Sequence, residues 1–280
     1  MRYKTILALV PEPATAAPVL SCVVDLAERF FAHVIGAHVR PRYEPYPGGA
    51  AAVNLELYAR LQDDAKQVAE AARAAFDTAL RLDAGRSEWR EVAAYQSGIS
   101  QKLSEIALRT DLVGVPGLGP DAGADAVGLI HDVLLSTGRP VLMLPPGMKP
   151  GAPLGRRALL CWTPTREASL AAQNALGFLA DAALTTVLTI GHRAATSAEE
   201  ATEGHALAQM LSRHGVATEV RHSLQEEPTI GAQIVKEAAI SGTDLIVMGA
   251  FGHSRLHDLL FTDPTREVMR KAPVPVLFSG

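Results

Sequence analysis

Uninterrupted apolar runs alternate with amphipathic stretches along the whole chain. The first run covers residues 3–10 and is typical of a strand that is buried on both faces of a sheet. Behind it, apolar residues recur with the spacing of one helix face, at Val19, Val23, Leu26 and Phe30. Residues 33–39 then form a second apolar run. This alternation continues to the C-terminus and predicts parallel sheets with right-handed crossovers and helices on both faces.

The same pattern occurs a second time. Residues 157–162 form an apolar run, and residues 186–190 form the next one. Between them lies a helix pattern with apolar positions at Ala172, Leu176, Leu179 and Ala183. One constant shift of 153 positions carries the features of the first half onto those of the second, from Val19 to Ala172 onward. We infer an internal duplication.

The remaining elements also fall into pairs. The pattern predicts helices at 52–82 and 197–214, the second beginning with a capping box formed by Ser197 and Glu200. The other predicted pairs are strands at 88–96 and 216–225, helices at 99–109 and 230–241, strands at 111–115 and 244–248, and last strands at 141–144 and 276–278. Each half is therefore predicted to be a five-stranded parallel sheet of order 3-2-1-4-5.

A breaker-rich segment separates the two halves. Residues 145–153 hold four prolines and two glycines, which favour neither helix nor strand. We expect one domain at residues 1–147, a linker at 148–154 and a second domain at 155–280, both of ordinary size. Each half ends in an apolar edge strand, and we expect these two edges to pair antiparallel within the chain. A homodimer of whole chains and an unknown protein partner are further expectations.

Composition excludes several classes of function. The chain has 280 residues, of which 48% are hydrophobic and 20% charged, as in globular proteins. A formal net charge of -4 without a cluster of basic residues argues against nucleic acid as a partner. No apolar run is long enough for a signal sequence or a membrane span. Cys22 and Cys161 lie far apart and are expected to be buried thiols of a reducing compartment. We expect a cytoplasmic protein without a membrane partner.

A ligand crevice is expected where the strand order reverses, beyond the carboxyl ends of the first and fourth strands. In the second half this point follows the run at 244–248, which leads into a glycine loop. A glycine loop behind a buried strand brings backbone N–H groups close to a phosphate. The expected lining residues are Thr163, Pro164, Thr165, Ile190, Met248 and Gly249.

The C-terminal motifs resemble a known family. Residues 248–256 read MGAFGHSRL and residues 265–277 read TREVMRKAPVPVL, which resembles the C-terminal signature of the universal stress protein family. Residues 162–168 resemble the first turn of that family. The resemblance implies two tandem Rossmann-like domains, similar to the adenine nucleotide alpha hydrolases, and units paired through their last strands. Some members bind ATP at the pattern G-x2-G-x9-G-[ST].

The chain matches that ATP pattern only in part. Gly249 and Gly252 occupy the first two positions, but Thr262 replaces the third glycine and Asp263 replaces the final hydroxyl residue. Thr262 carries a Cβ that hinders positive φ and a close phosphate. Asp263 would place a negative charge next to the phosphate oxygens. At about 4 Å and an effective dielectric of about 20, each such pair of like charges costs roughly 4 kcal/mol. ATP and AMP are therefore disfavoured as cofactors. Thr163 also stands where ATP-binding members have an aspartate.

In the first half, the corresponding loop at 116–119 keeps two glycines, but nothing downstream matches the pattern. Glu12 stands on the first turn there. We expect this half to bind no nucleotide.

Several motif residues have simpler interpretations. Gly249 and Gly252 serve equally well in an inherited tight turn. His253 and His257 are spaced as metal ligands on a helix, but no third ligand has a fixed spacing, and no metal is predicted. Asp263, Pro264 and Thr265 form an ordinary helix start. The full candidate nucleotide-binding set is Thr163, Pro164, Thr165, Ile190, Met248, Gly249, Gly252, His253, Thr262, Asp263, Pro264 and Thr265.

The favoured hypothesis is a non-enzymatic universal-stress-type protein of the stress response, with an adenine nucleotide or another small ligand in the second half. No nucleophile elbow, P-loop or metal-cluster spacing is present in the sequence, so no catalytic residue is predicted. One alternative is a ligand-free stress scaffold in which both crevices are vestigial. Weak ATP hydrolysis is the third and least favoured alternative.

Overall fold

The computed structural model describes residues 3–43, 55–80, 85–95, 98–118, 124–191, 198–251 and 264–280. The first half contains β1 (Thr5–Leu9), α1 (Pro13–Phe30), β2 (His33–Pro41), α2 (Leu55–Ala79), β3 (Ser87–Ala94), α3 (Ile99–Ala107), β4 (Leu112–Pro116), α4 (Ala124–Thr137) and β5 (Val141–Leu144). The second half contains β6 (Arg157–Cys161), α5 (Arg166–Leu179), β7 (Leu184–Gly191), α6 (Ala198–Ser212), β8 (Thr218–Leu224), α7 (Ile230–Ile240), β9 (Leu245–Gly249), α8 (Pro264–Lys271) and β10 (Val276–Ser279).

All ten strands belong to one sheet of order β3-β2-β1-β4-β5-β10-β9-β6-β7-β8. Within each half the strands are parallel, and their order is 3-2-1-4-5. Uninterrupted apolar strands such as β1 and β9 are buried on both faces, because helices cover both sides of the sheet. The predicted α/β fold class is confirmed.

The two halves meet at an antiparallel ladder between β5 and β10. Val141 lies opposite Phe278, Leu142 opposite Leu277, and Met143 opposite Val276. All six residues are almost fully buried. Each strand would otherwise leave an apolar edge with unpaired backbone groups, and pairing satisfies both edges at once.

Two apolar layers cover the sheet without a break between the halves. The upper layer holds buried residues of α1, α2, α5 and α6, and the lower layer holds those of α3, α4, α7 and α8. In the upper layer the rings of Tyr3, Phe30 and Phe178 pack together, with centroids 5.2 to 5.8 Å apart. Since Phe178 lies on α5, this aromatic cluster joins the two halves.

Arg29, in the last turn of α1, holds the aromatic cluster in place. Its guanidinium donates to the carbonyl oxygens of Leu154 and Phe178, at 3.2 and 3.4 Å, and pairs with Asp181 at 3.3 Å. It also lies over the rings of Phe30 and Phe178, 5.2 and 5.7 Å from their centroids. One cation thus connects the first half to the second half and to the segment between them.

Glu267 connects α8 to the N-terminus of α7. Its carboxylate accepts hydrogen bonds from the hydroxyl of Thr229, the N-cap of α7, and from Lys271 at 2.8 Å. Gly231 allows this approach, because a Cβ there would lie 2.6 Å from Oε2 of Glu267. Burial alone would raise the pKa of Glu267, but the hydrogen bonds from Lys271 and Thr229 outweigh it and hold the pKa below its usual value.

The structure departs from two details of the prediction. Ala183 was assigned to the helix pattern, yet α5 ends at Leu179 and Ala183 lies in the turn that follows. Its N–H bonds to the carbonyl of Arg156, so the chain has already turned back toward the sheet. Helix α4 was not predicted. The capping box at Ser197 lies outside the described residues.

We predict that Arg29→Ala lowers the free energy of unfolding by about 2 kcal/mol, because two carbonyls lose their donor and two rings lose their cation. Urea unfolding followed by circular dichroism measures this change. Arg60→Ala serves as the control, since Arg60 pairs only with Glu56 on the exposed face of α2 and should cost less than ~0.5 kcal/mol. Equal losses of unfolding free energy in the two variants would show that Arg29 does not hold the two halves together.

We predict that Glu267 makes the fold less stable in acid. Its folded pKa is depressed, so its contribution is fully present above the unfolded value, which is about 4.3, and is lost as the pH falls through the folded pKa. Urea unfolding between pH 3 and 7 should show a steeper acid loss for the parent chain than for Glu267→Gln. Glu105→Gln, which changes the exposed partner of Lys102, should keep the parental slope. A loss of stability in acid that is as steep in Glu267→Gln as in the parent chain would contradict this explanation.

Candidate functional site

The carboxyl ends of β6 and β9 lie side by side, and here the strand order of the second half reverses. β6 pairs with β7 on one side and with β9 on the other. The chain leaves β6 through Thr163, Pro164 and Thr165, and leaves β9 at Gly249. The two exits are in contact, because Gly249 packs against the first turn of α5. In an open parallel sheet this point is where ligands bind.

Gly249 is a glycine because the backbone of α5 comes too close for a side chain. A Cβ at Gly249 would lie 2.7 Å from the amide nitrogen of Ala168 and 2.8 Å from the carbonyl carbon of Glu167. Real Cβ atoms essentially never approach other atoms this closely. The glycine therefore serves helix packing, a role that requires no phosphate.

The N-terminus of α5 already has an acceptor of its own. Thr165 is the N-cap with extended backbone, and its Oγ1 accepts from the N–H of Ala168 at 3.2 Å. The N–H of Thr165 bonds to the carbonyl of Thr163 at 2.7 Å. Thr163 and Pro164 are exposed at the mouth of the crevice.

The other described candidates lie deeper. Met248 is only 5% exposed and belongs to the lower apolar layer, against which the half-buried Ile190 also packs. Thr265 is buried, and its Oγ1 accepts from the N–H of Phe251 at 3.4 Å. Pro264, which begins α8, is half-buried. The remaining candidates, Gly252, His253, Thr262 and Asp263, lie outside the described residues.

Phe251 joins the crevice to the first half. Its backbone is left-handed, with φ of 57°, a conformation that costs energy in a bulky residue. Its ring meets that of His131 on α4 edge to face, with centroids 4.6 Å apart. A residue of the first half therefore contacts the chain where it leaves β9.

Glu167 borders the crevice and was not among the sequence candidates. Its Cβ would lie 3.0 Å from a Cβ at Gly249, and its side chain is only 18% exposed. Arg166 lies 3.6 Å from the carboxylate but is itself largely exposed. The sequence feature that could have identified Glu167 is an acidic residue in the first turn of a predicted helix. That position alone indicates only a favourable interaction with the helix dipole.

Trp162, just before the exit of β6, packs against the upper apolar layer, as expected for a core residue. Its indole N–H is buried and has no hydrogen-bond partner among the described residues.

The corresponding loop of the first half is closed by its own backbone. The N–H of Gly117 bonds to the carbonyl of Leu144 at 2.5 Å. A Cβ at Gly117 would lie 2.4 Å from that oxygen and 2.9 Å from the Cα of Pro145. Leu118 is buried beside it. The end of β5 thus fills the space in front of Gly117.

In the part of the chain that the structure describes, no group of three or more His, Cys, Asp or Glu side chains could hold a metal ion. No helix among the described residues has the length and apolar character needed to cross a membrane.

Comparison with known proteins gives a consistent result. The family model described as the universal stress protein family matches residues 166–279. The chain is 30% identical over 114 residues to universal stress protein Slr1230 of Synechocystis sp., which is 40% of this chain and 39% of that protein. The chain thus matches about two fifths of the length of this curated relative.

Solved structures share the fold over the whole chain. A universal stress protein from Archaeoglobus fulgidus has a TM-score of 0.72 at 13% identity, covering 98% of this chain and 95% of its own. A protein of unknown function from Pseudomonas aeruginosa has a TM-score of 0.60 at 14% identity, covering 99% and 92%. Residues 166–279 therefore match the universal stress protein family, and the chain shares the fold of solved universal stress proteins.

Proposed function

We propose that the chain is a non-enzymatic stress-response protein whose second half binds a small ligand at the carboxyl ends of β6 and β9. The match of residues 166–279 to the universal stress protein family supports the role in stress response. The observation that carries the ligand proposal is the crevice geometry, in which Gly249 and the first turn of α5 face each other at the strand-order reversal. An adenosine-like ligand without phosphates suits this site better than ATP.

Charge and hydrogen bonding both disfavour a phosphate group. The N–H of Ala168 already donates a hydrogen bond to Thr165. Thr229 caps α7 in the same way and accepts from the N–H of Ala232 at 3.1 Å. The carboxylates of Glu167 and Glu267 already occupy the first turns of α5 and α8. A phosphate would therefore meet negative charges, and one of the first-turn donors of α5 is already bonded. In the sequence, Thr262 and Asp263 also disfavour a phosphate, because they replace the third glycine and the hydroxyl residue of the ATP pattern.

The chemistry of two described groups supports binding without catalysis. Thr189 Oγ1 lies 3.0 Å from Nδ1 of His222, but Thr189 is only 4% exposed and is covered by Gly204 of α6. A substrate has no access to that hydroxyl. Burial raises the pKa of the Cys161 thiol to about 12, so the reactive thiolate is scarce at neutral pH.

We predict that calorimetry will rank adenosine above AMP and AMP above ATP. We expect the affinity for ATP to be at least about tenfold weaker than that for adenosine, since each phosphate adds repulsion. Glu167→Gln should raise the affinity for ATP, because it removes the carboxylate next to Gly249. The control Glu203→Gln, on the exposed face of α6, should leave the ranking unchanged.

The outcomes separate the hypotheses. Tighter binding of ATP than of adenosine would refute the charge argument. If adenosine, AMP and ATP all fail to bind, the ligand-free scaffold becomes the better description. Release of inorganic phosphate from ATP by the purified chain would contradict a role without catalysis.

A further inference from the structure

A groove of about 640 Å³ runs between α1 and α2 in the first half. We propose that this groove binds a small molecule with a hydrocarbon body and a protonated amine. The hydrocarbon body lies along the alanine-rich walls, and the amine meets Ser21 and Asp25 at one end.

Short apolar side chains make the walls of the groove. Ala17 on α1 and Ala74 and Ala79 on α2 are exposed, while Ala16 and Leu20 lie buried beneath them. The groove is thus lined largely by methyl and methylene groups and remains open to solvent. Burial of an alkyl chain against such a surface removes apolar area from water and stabilises the bound molecule.

The second half shows that the fold itself does not require this groove. A shift of 131 positions carries the buried Phe76 and Leu80 onto the buried Leu207 and Leu211, so Ala79 corresponds to Met210. The shift of 153 positions carries Leu20 onto Gln173. Gln173 Nε2 lies 3.9 Å from the sulfur of Met210, and these two long side chains meet between α5 and α6. In the first half a leucine and an alanine leave that space empty.

The polar end of the groove consists of Ser21 and Asp25, one turn apart on α1. Both residues also line an adjoining cavity of about 140 Å³ between α1 and the segment at 148–154. Among the described residues, neither side chain has a hydrogen-bond or ion-pair partner. Asn174 and Phe178, the corresponding residues of α5, are both engaged: Asn174 donates to Ser279 at 3.2 Å, and Phe178 is in the aromatic cluster.

Charge decides which ligand class the polar end accepts. The exposed carboxylate of Asp25 has no cationic partner among the described residues, and partial burial, followed by the nearby charge of Glu28, raises its pKa. Arg29 is the nearest cation on α1, but it is committed to Asp181 and to two carbonyl oxygens. Lys149 lines only the smaller cavity. An alkylammonium group supplies the missing positive charge, whereas a carboxylate would be repelled.

The experiment uses the full chain and the neutral dye N-phenyl-1-naphthylamine, which fluoresces in apolar surroundings. Decylamine and decanoate, which have equal chain length and opposite charge, are titrated at pH 7 below their micelle concentrations. We expect decylamine to displace the dye at about tenfold lower concentration than decanoate. Equal displacement by the two competitors, or no dye binding, would overturn the proposal.

Substitutions test where the dye binds and which carboxylate causes the preference for decylamine. Ala79→Met copies Met210 and should abolish dye binding, and Ala17→Leu should do the same from the opposite wall. Asp25→Asn should bring the two competitors to equal potency, while Glu28→Gln, which changes a carboxylate outside the groove, should keep the preference for decylamine. Thermal melting confirms that each variant is folded. Parental dye binding in both Ala79→Met and Ala17→Leu would place the dye elsewhere and refute the proposal.

Discussion

The antiparallel ladder between β5 and β10 determines where the other parts of the molecule lie. Two five-stranded sheets, each ending in an apolar edge, become one ten-stranded sheet through only three facing residue pairs. Since parallel strands fix the faces on which their helices pack, joining the sheets also places α1 beside α5 and makes both apolar layers continuous. Three contacts between the halves depend on this alignment: the aromatic cluster, the ion pair of Arg29 with Asp181, and the contact between His131 and Phe251.

Within this shared backbone, the two halves use equivalent positions differently. The residues of α5 that correspond to Ser21 and Asp25 are Asn174 and Phe178, and both are committed to contacts inside the protein. On α1 the same positions face cavities. The groove itself occurs only in the first half among the described residues because Leu20 and Ala79 stand where Gln173 and Met210 meet in the second half.

The strand pattern could be predicted from the sequence because the strands are buried on both faces and appear as unbroken apolar runs. Ten strands in the order of two repeated units followed from that pattern. Periodicity failed at Ala183, where an apolar residue continues the helical spacing although the chain has already turned toward the sheet. It also missed α4, which follows the part of the first half where the two repeats agree least. The confirmed resemblance to the universal stress proteins came from residues at the C-terminal end.

The position of Gly249 at the end of a buried strand was predictable, but the physical reason for a glycine there was not. The sequence places Gly249 behind a buried strand, and that context suits either a phosphate loop or a tight turn. Only the folded chain shows that Glu167 and Ala168, far away in sequence, occupy the space where a side chain would stand. Contacts of this kind depend on tertiary packing and leave no local signal, so Glu167 was missed for the same reason.

A glycine at a strand end therefore indicates close backbone approach, and the approaching group must be identified separately. At Gly249 it is the first turn of α5, in which the N–H of Ala168 is already bonded to Thr165. Phosphate binding needs backbone donors that are both near and unpaired. In the described part of the crevice the N–H of Ala168 is near but engaged, and the carboxylate of Glu167 stands beside it. Under the proposed function, this arrangement opposes an anion, and we expect charge, more than shape, to select the ligand of the second half.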